Sequence, residues 1–197
     1  LHTTLSAFNV FKYITFRTIY ATITALLITL LLGPWFMEKM SNLRLKERIN
    51  GHTPDTHKGK SGTPTMGGLL ITCAIVFSPL LWVAPFNVYV WLGMAILVTY
   101  AALGFIDDYV KTVKGNMRGL PGRLRLLVEF AVAAAVGLAL MTTPGFDDTI
   151  TIPFFKRIHL DLGVFYIPFV MVVIVGTANA VNLTDGLDGL AIGLTFI

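Results

Sequence analysis

Five long stretches with almost no charge constrain this chain more than any other feature: residues 17–37, 67–84, 88–106, 126–143 and 163–182. A helix that crosses the hydrocarbon of a bilayer needs ~20 mainly apolar residues, and each stretch comes close to that length. Pro85-Phe86-Asn87 separates the second stretch from the third as a tight turn. Of 197 residues, 55% are hydrophobic and only 13% are charged. A soluble domain carries about 25% charged residues. A disordered chain, a disulfide scaffold and an ordinary cytosolic domain are all excluded, and the mean hydropathy of +0.74 agrees. The expected fold is an all-α polytopic membrane protein of five transmembrane helices plus a partial sixth, since Leu187–Ile197 are too few to cross. The single cysteine, Cys73, lies in an apolar run and is expected to be a small buried hydrophobe.

The fifteen Lys and Arg residues orient these helices. Lys39, Arg44, Lys46, Arg48, Lys58 and Lys60 fall between helices one and two. Lys111, Lys114, Arg118, Arg123 and Arg125 fall between helices three and four. Only Lys156 and Arg157 lie in the loop before helix five, and only Lys12 and Arg17 stand at the start of helix one. Two helices separate the two rich loops, so both face one side, and the positive-inside rule makes that side the cytoplasm. The N-terminus and the 144–162 loop are then outside. The charge of +4 and the pI near 9.3 are explained by topology and lipid contact, and no nucleic-acid partner is expected. Within the outer loop, Thr149-Ile150-Thr151-Ile152-Pro153 and Ile158-His159-Leu160-Asp161-Leu162 alternate with period two, which predicts a small extracytoplasmic β-hairpin. Residues 38–50 read as a short extension of helix one, ended by Gly51.

Acids are rare in hydrocarbon and usually functional there. Four of the eleven acids stand at helix ends on the cytoplasmic side. Asp107 and Asp108 end helix three, and Asp185 and Asp188 follow helix five. On a helix, Asn182, Asp185 and Asp188 share one face at i, i+3, i+6 spacing. Asp107 and Asp108 are adjacent and so point ~100° apart, which lets one face a metal or substrate while the other pairs with a base. Clustered carboxylates suit Mg²⁺, a cation that takes oxygen ligands and bridges phosphates. The plainer reading is that these acids cap helix ends at the interface. Asp147, Asp148 and Asp161 lie in the outer loop and are expected to be solvated. His52, His57 and His159 read as solvated loop histidines.

Before helix two runs Lys58-Gly59-Lys60-Ser61-Gly62-Thr63-Pro64-Thr65-Met66-Gly67-Gly68. Glycines, hydroxyls and lysines at a helix N-terminus favour an anion, although the order is not that of a Walker loop. The alternative is a plain loop with a threonine N-cap. Taken together, these features describe a membrane protein with an acidic cleft, a basic rim and a glycine-rich phosphate-type loop. That pattern suits chemistry between a soluble phosphate-rich substrate and a lipid-borne partner.

Three segments in order, residues 62–68, Asp107-Asp108-Tyr109 and NAVNLTDGLDGLA at 179–191, resemble the polyprenyl-phosphate N-acetylhexosamine-1-phosphate transferases. The resemblance covers essentially the whole chain. It implies transfer of phospho-MurNAc-pentapeptide from UDP-MurNAc-pentapeptide to undecaprenyl phosphate, with lipid I and UMP as products and Mg²⁺ as cofactor. It implies Asp107 as the base for the lipid phosphate and Asp108 as a catalytic residue and metal ligand. Asp185 and Asp188 would serve as metal ligands as well, and Asp185 as a catalytic residue. Lys60, Thr65, Lys111, Asn182 and Asp188 would contact nucleotide or phosphate. Family members run on through further helices that carry another metal-binding aspartate and a histidine-rich loop. The resemblance therefore implies that residues 1–197 are one transmembrane domain, the N-terminal half of a roughly ten-helix protein in a bacterial inner membrane. Such a half is expected to be incomplete for activity. Helix arrays of this kind often pair, so a homodimer is expected. Three other readings compete: a sister enzyme moving GlcNAc-1-phosphate or another sugar phosphate, a transporter, and a non-catalytic scaffold. A transporter places its ionisable groups near the midplane, whereas these acids gather at helix ends.

Overall fold

The computed structural model describes residues 10–42, 67–83, 87–112, 119–152, 154 and 159–184. Five α-helices dominate: α1 (Ile14–Asn42), α2 (Gly67–Trp82), α3 (Val88–Thr112), α4 (Gly122–Met141) and α5 (Tyr166–Thr184). At 1.5 Å per residue, α1 and α3 are about 43 and 37 Å long, and α4 about 30 Å. Among the described residues, and counting the 3-10 turn Gly163–Phe165 that leads into α5, four helical segments are long and apolar enough to cross a membrane. The exception is α2, apolar throughout but only 16 residues. Its length of about 24 Å falls short of a ~30 Å hydrocarbon core. The chain is thus a multi-pass membrane protein built from helices. The expected extension of helix one is present to Asn42, and the rest of it lies outside the described residues, as does the partial sixth helix.

The helices divide into two compact units, Leu1–Pro121 and Gly122–Ile197. In the first, α1 and α2 run antiparallel. Near one end Trp82 Nε1 donates to Thr24 Oγ1 at 2.9 Å, and toward the other Gly33 lies against Leu70. Tyr20 and Phe11 stack around Trp82, with ring centroids 5.1 and 6.2 Å away, as aromatic rings do where one edge is apolar and the other wet. Residues of α2 and α3 then pair Gly68 and Thr72 with Asp108 and Gly104 around a common cleft. The C-terminal ends of α1 and α3 and the N-terminus of α2 therefore lie on one side of this unit. Threonines in α1 face outward without cost because their hydroxyls bond back along the helix. Thr18, Thr22 and Thr29 donate to carbonyls four residues earlier at 2.9 Å.

In the second unit α4 and α5 pack antiparallel. Gly137 is the close-approach point: a Cβ there would meet the Ile167 backbone at 3.4 Å. Ala133, Val136, Val170 and Val175 are buried along the pair. The segment between α4 and α5 forms the expected hairpin, β1 (Thr149–Thr151) with β2 (His159–Asp161), antiparallel in the register Thr149↔Asp161, Ile150↔Leu160, Thr151↔His159. Asp147 and Asp161 are exposed, and each makes a turn by accepting a backbone N–H two residues on, from Thr149 at 3.0 Å and Gly163 at 3.1 Å.

One expectation fails here. Cys73 is exposed, not buried, and lines an apolar groove with Val76, Phe77 and Leu80. The reason is the solvent: lipid lets apolar side chains face outward, so an apolar run does not report burial.

Candidate active site at the end of the third helix

Asp107 and Asp108 occupy the last turns of α3 and point different ways, as their adjacency on a helix requires. Asp107 turns toward the segment that follows. Its Oδ2 is paired with Lys111 Nζ one helical turn on, at 2.5 Å, and its Oδ1 accepts the backbone N–H of Leu120 at 2.7 Å. The side chain of Asp107 is 15% exposed and that of Lys111 is 45% exposed. Gly119 makes this clasp possible. It is buried, adopts φ +61°, and a Cβ on it would strike Asp107 Oδ1 and come within 2.6 Å of Lys111 Cε. Only glycine takes that backbone conformation and that closeness without strain.

Asp108 borders a different space, a cleft of about 180 Å³ lined by Gly68, Leu69 and Thr72 of α2 and by Ala101, Gly104 and Phe105 of α3. The first turn of α2 presents free backbone N–H groups and the positive end of its dipole at this level. The cleft shares Leu69, Thr72, Ala101 and Phe105 with a larger apolar groove of about 720 Å³ that continues along α1, α2 and α3 through Leu32, Cys73 and Phe77. An acid and a helix N-terminus thus stand at one end of a long apolar channel.

The structure therefore unites Asp107 with Lys111 and turns Asp108 away from both. Asn182 stands in the last turns of α5 and is exposed. Lys60, Thr65, Asp185 and Asp188 lie outside the described residues. Among the described residues no group of three His, Cys, Asp or Glu side chains converges as a metal cage. Asp108 suits Mg²⁺ all the same, because that ion takes one or two carboxylates and fills its octahedron with water and phosphate oxygens. The ammonium on Asp107 makes that carboxylate the poorer ligand.

The sequence reading missed Glu129, an acid four residues into an apolar stretch. It is 1% exposed and the largest fully buried side chain among the described residues. Its Oε1 accepts from Arg125 Nε at 2.8 Å, and its Oε2 accepts from Asn179 Nδ2 of α5 at 2.6 Å. The signal was available, since a lone acid inside a predicted span marks a paired or functional site.

Comparison with known proteins gives the family. The pattern of glycosyl transferase family 4 matches residues 88–197, more than half of the chain, and the phospho-N-acetylmuramoyl-pentapeptide-transferase signature 1 matches residues 60–71. A phospho-N-acetylmuramoyl-pentapeptide-transferase of Citrifermentans bemidjiense is 53% identical over 186 residues, covering 94% of this chain and 52% of the relative. One from Syntrophus aciditrophicus is 53% identical over 193 residues, 98% of this chain and 54% of the relative. One from Maridesulfovibrio salexigens is 46% identical over 190 residues, 96% and 53% respectively. The chain spans about half the length of the curated relatives it matches. With an acidic pair at a helix end and a family match from the start of α3 to the last residue, the chain belongs to glycosyl transferase family 4.

Proposed function

We propose that this chain serves the transfer of phospho-MurNAc-pentapeptide from UDP-MurNAc-pentapeptide to undecaprenyl phosphate, giving lipid I and UMP for peptidoglycan synthesis. The observation that carries the reading is Asp108 in a cleft continuous with the apolar groove of α1, α2 and α3. A polyprenyl phosphate has the matching form, a long apolar tail ending in an anion. The relatives' names supply the donor.

In the reaction, an oxygen of the lipid phosphate bonds to the sugar-linked phosphorus of the donor. The bond from that phosphorus to the bridging oxygen breaks, and UMP leaves with the electron pair. Asp107, the base that the resemblance implies for the lipid phosphate, is held by Leu120 N–H and Lys111 on a different side from the Asp108 cleft, so the phosphate must reach past that cleft, around the end of α3, to give up its proton. The Lys111 ammonium offsets charge on the departing nucleotide. Lys60 and Thr65 hold donor phosphate, and Asn182 and Asp188 hold the nucleotide. Asp108, Asp185 and Asp188 would hold Mg²⁺, which would supply neutralisation of phosphate charge. Asp185 would also act in catalysis. The distribution of Lys and Arg supports the cytoplasmic face of a bacterial inner membrane as the side of this chemistry, with the N-terminus outside.

The test is UMP release by the intact membrane-embedded protein, supplied with undecaprenyl phosphate and either UDP-MurNAc-pentapeptide or UDP-GlcNAc. Release with the first donor alone supports the reading. Release with UDP-GlcNAc alone makes the chain part of a sister enzyme.

A further inference from the structure

A carboxylate sealed between two membrane-spanning helices is expensive, and it persists only where partners satisfy it. Glu129 has both oxygens engaged, one by Arg125 on its own helix and one by Asn179 on α5. Asn179 is itself fixed, since its Nδ2 also donates to Val175 O at 2.9 Å. The rest of the α4–α5 contact is small and apolar: Ala133, Val136, Gly137, Val170 and Val175. Close packing at Gly137 against Ile167 holds the two helices together, and it contains no directional polar bond. The Glu129–Asn179 bond is the directional element, and it sits near the end of α5 where Asn182 follows three residues later on the same face.

We propose that Glu129 is a positioning residue for the transfer reaction. Through Asn179 it fixes the rotation and axial register of α5, and so the aim of Asn182 and the point from which the chain enters Asp185-Gly186-Leu187-Asp188. Arg125 keeps the Glu129 carboxylate turned toward α5. The inference rests on the reading above, in which Asn182, Asp185 and Asp188 serve the donor nucleotide and its metal. Its consequence is specific to one substrate. Loosening α5 weakens donor use and spares the lipid acceptor, whose groove lies along α1, α2 and α3.

The test compares Glu129→Leu, Glu129→Gln and Asn179→Leu with the wild type in the intact membrane-embedded protein. Leucine fills the buried volume, Arg125 is already 29% exposed and can turn its head to water, and Asn179 keeps its bond to Val175 O, so the helix pair still folds. Glutamine keeps an acceptor oxygen for Asn179. Three quantities are read: KM for each substrate, the melting temperature in detergent, and hydrogen exchange of the Val181–Thr184 amides. Glu129→Leu and Asn179→Leu are expected to raise KM for the UDP-linked donor at least tenfold and to leave KM for undecaprenyl phosphate within twofold. Exchange at Val181–Thr184 rises in both, while the melting temperature holds. Glu129→Gln is expected to restore donor KM to within about threefold of wild type. Two results overturn the proposal. One is a wild-type donor KM and wild-type exchange in Glu129→Leu. The other is a fall in melting temperature that tracks equal losses for both substrates and is not rescued by glutamine, which makes Glu129 a structural pair only. A wild-type protein that transfers nothing overturns the functional reading itself and the role in the reaction with it. The exchange data then show whether Asn179 is clamped by Glu129 at all.

Discussion

Replacing Gly119 by alanine tests the clasp around Asp107 at a single atom. An alanine at φ +61° costs about 1 kcal/mol in backbone strain alone. Its Cβ also collides with Asp107 Oδ1 and crowds Lys111 Cε, so the segment must shift and Leu120 N–H must leave the carboxylate. A hydrogen bond to a charged, mostly buried group is worth about 2 kcal/mol. The Lys111 pair adds little, because the lysine is 45% exposed. The expected loss is therefore about 3 kcal/mol. Gly122→Ala is the control: three residues on, with ordinary backbone, a Cβ there meets nothing within 4 Å. It should be neutral or slightly stabilising. In an Asp107→Ala background both the struck oxygen and the lost acceptor are gone, so Gly119→Ala should cost only the strain, leaving a coupling of about 2 kcal/mol. Equilibrium unfolding of the intact protein in mixed SDS and mild detergent micelles measures all four corners. Equal costs for Gly119→Ala and Gly122→Ala, or no coupling to Asp107, would show that Leu120 and Gly119 do not hold the carboxylate.

Other consequences follow from the same geometry. Gly137→Leu should push α4 and α5 apart, since even a Cβ meets Ile167 at 3.4 Å, and should cost about 1–3 kcal/mol; unchanged unfolding would contradict the close approach. Cys73 should react with an apolar maleimide in membranes and resist a charged thiosulfonate reagent, because it faces an apolar groove; rapid reaction with the charged reagent would place it in water. Between α4 and α5, Asp147 is held below the ordinary aspartate range by the Thr149 backbone N–H first and then by the Thr149 side chain. A depressed folded value means that the turn's contribution is complete above the ordinary range and is lost as pH falls through the lower value. The Thr149 amide resonance should report a midpoint below that of an unstructured aspartate, and an ordinary midpoint would remove the hydrogen bond.

What the sequence made legible depended on whether a local pattern carried the information. Apolar length was enough to locate α1, α3, α4 and α5, and period-two alternation was enough for the β1–β2 hairpin. Adjacency on a helix was enough to separate Asp107 from Asp108, and the structure turns one to Lys111 and the other to the α2 cleft. Nothing local distinguishes Gly119 from its neighbour Gly115, since both stand in a basic, glycine-rich segment. Only the approach of Asp107 gives Gly119 its role. Cys73 misled because lipid and protein interior are equally apolar. Glu129 was hidden by its surroundings: its partner Asn179 is 50 residues away, and only packing of α4 on α5 brings them to 2.6 Å.

The most direct test of the central claim is UMP release from UDP-MurNAc-pentapeptide by the intact protein in detergent with undecaprenyl phosphate, with Asp107→Asn run beside it. The account predicts release that needs Mg²⁺ and falls at least a hundredfold in the variant, about 3 kcal/mol of transition-state stabilisation. No release with any UDP-sugar, or full release by Asp107→Asn, would contradict it.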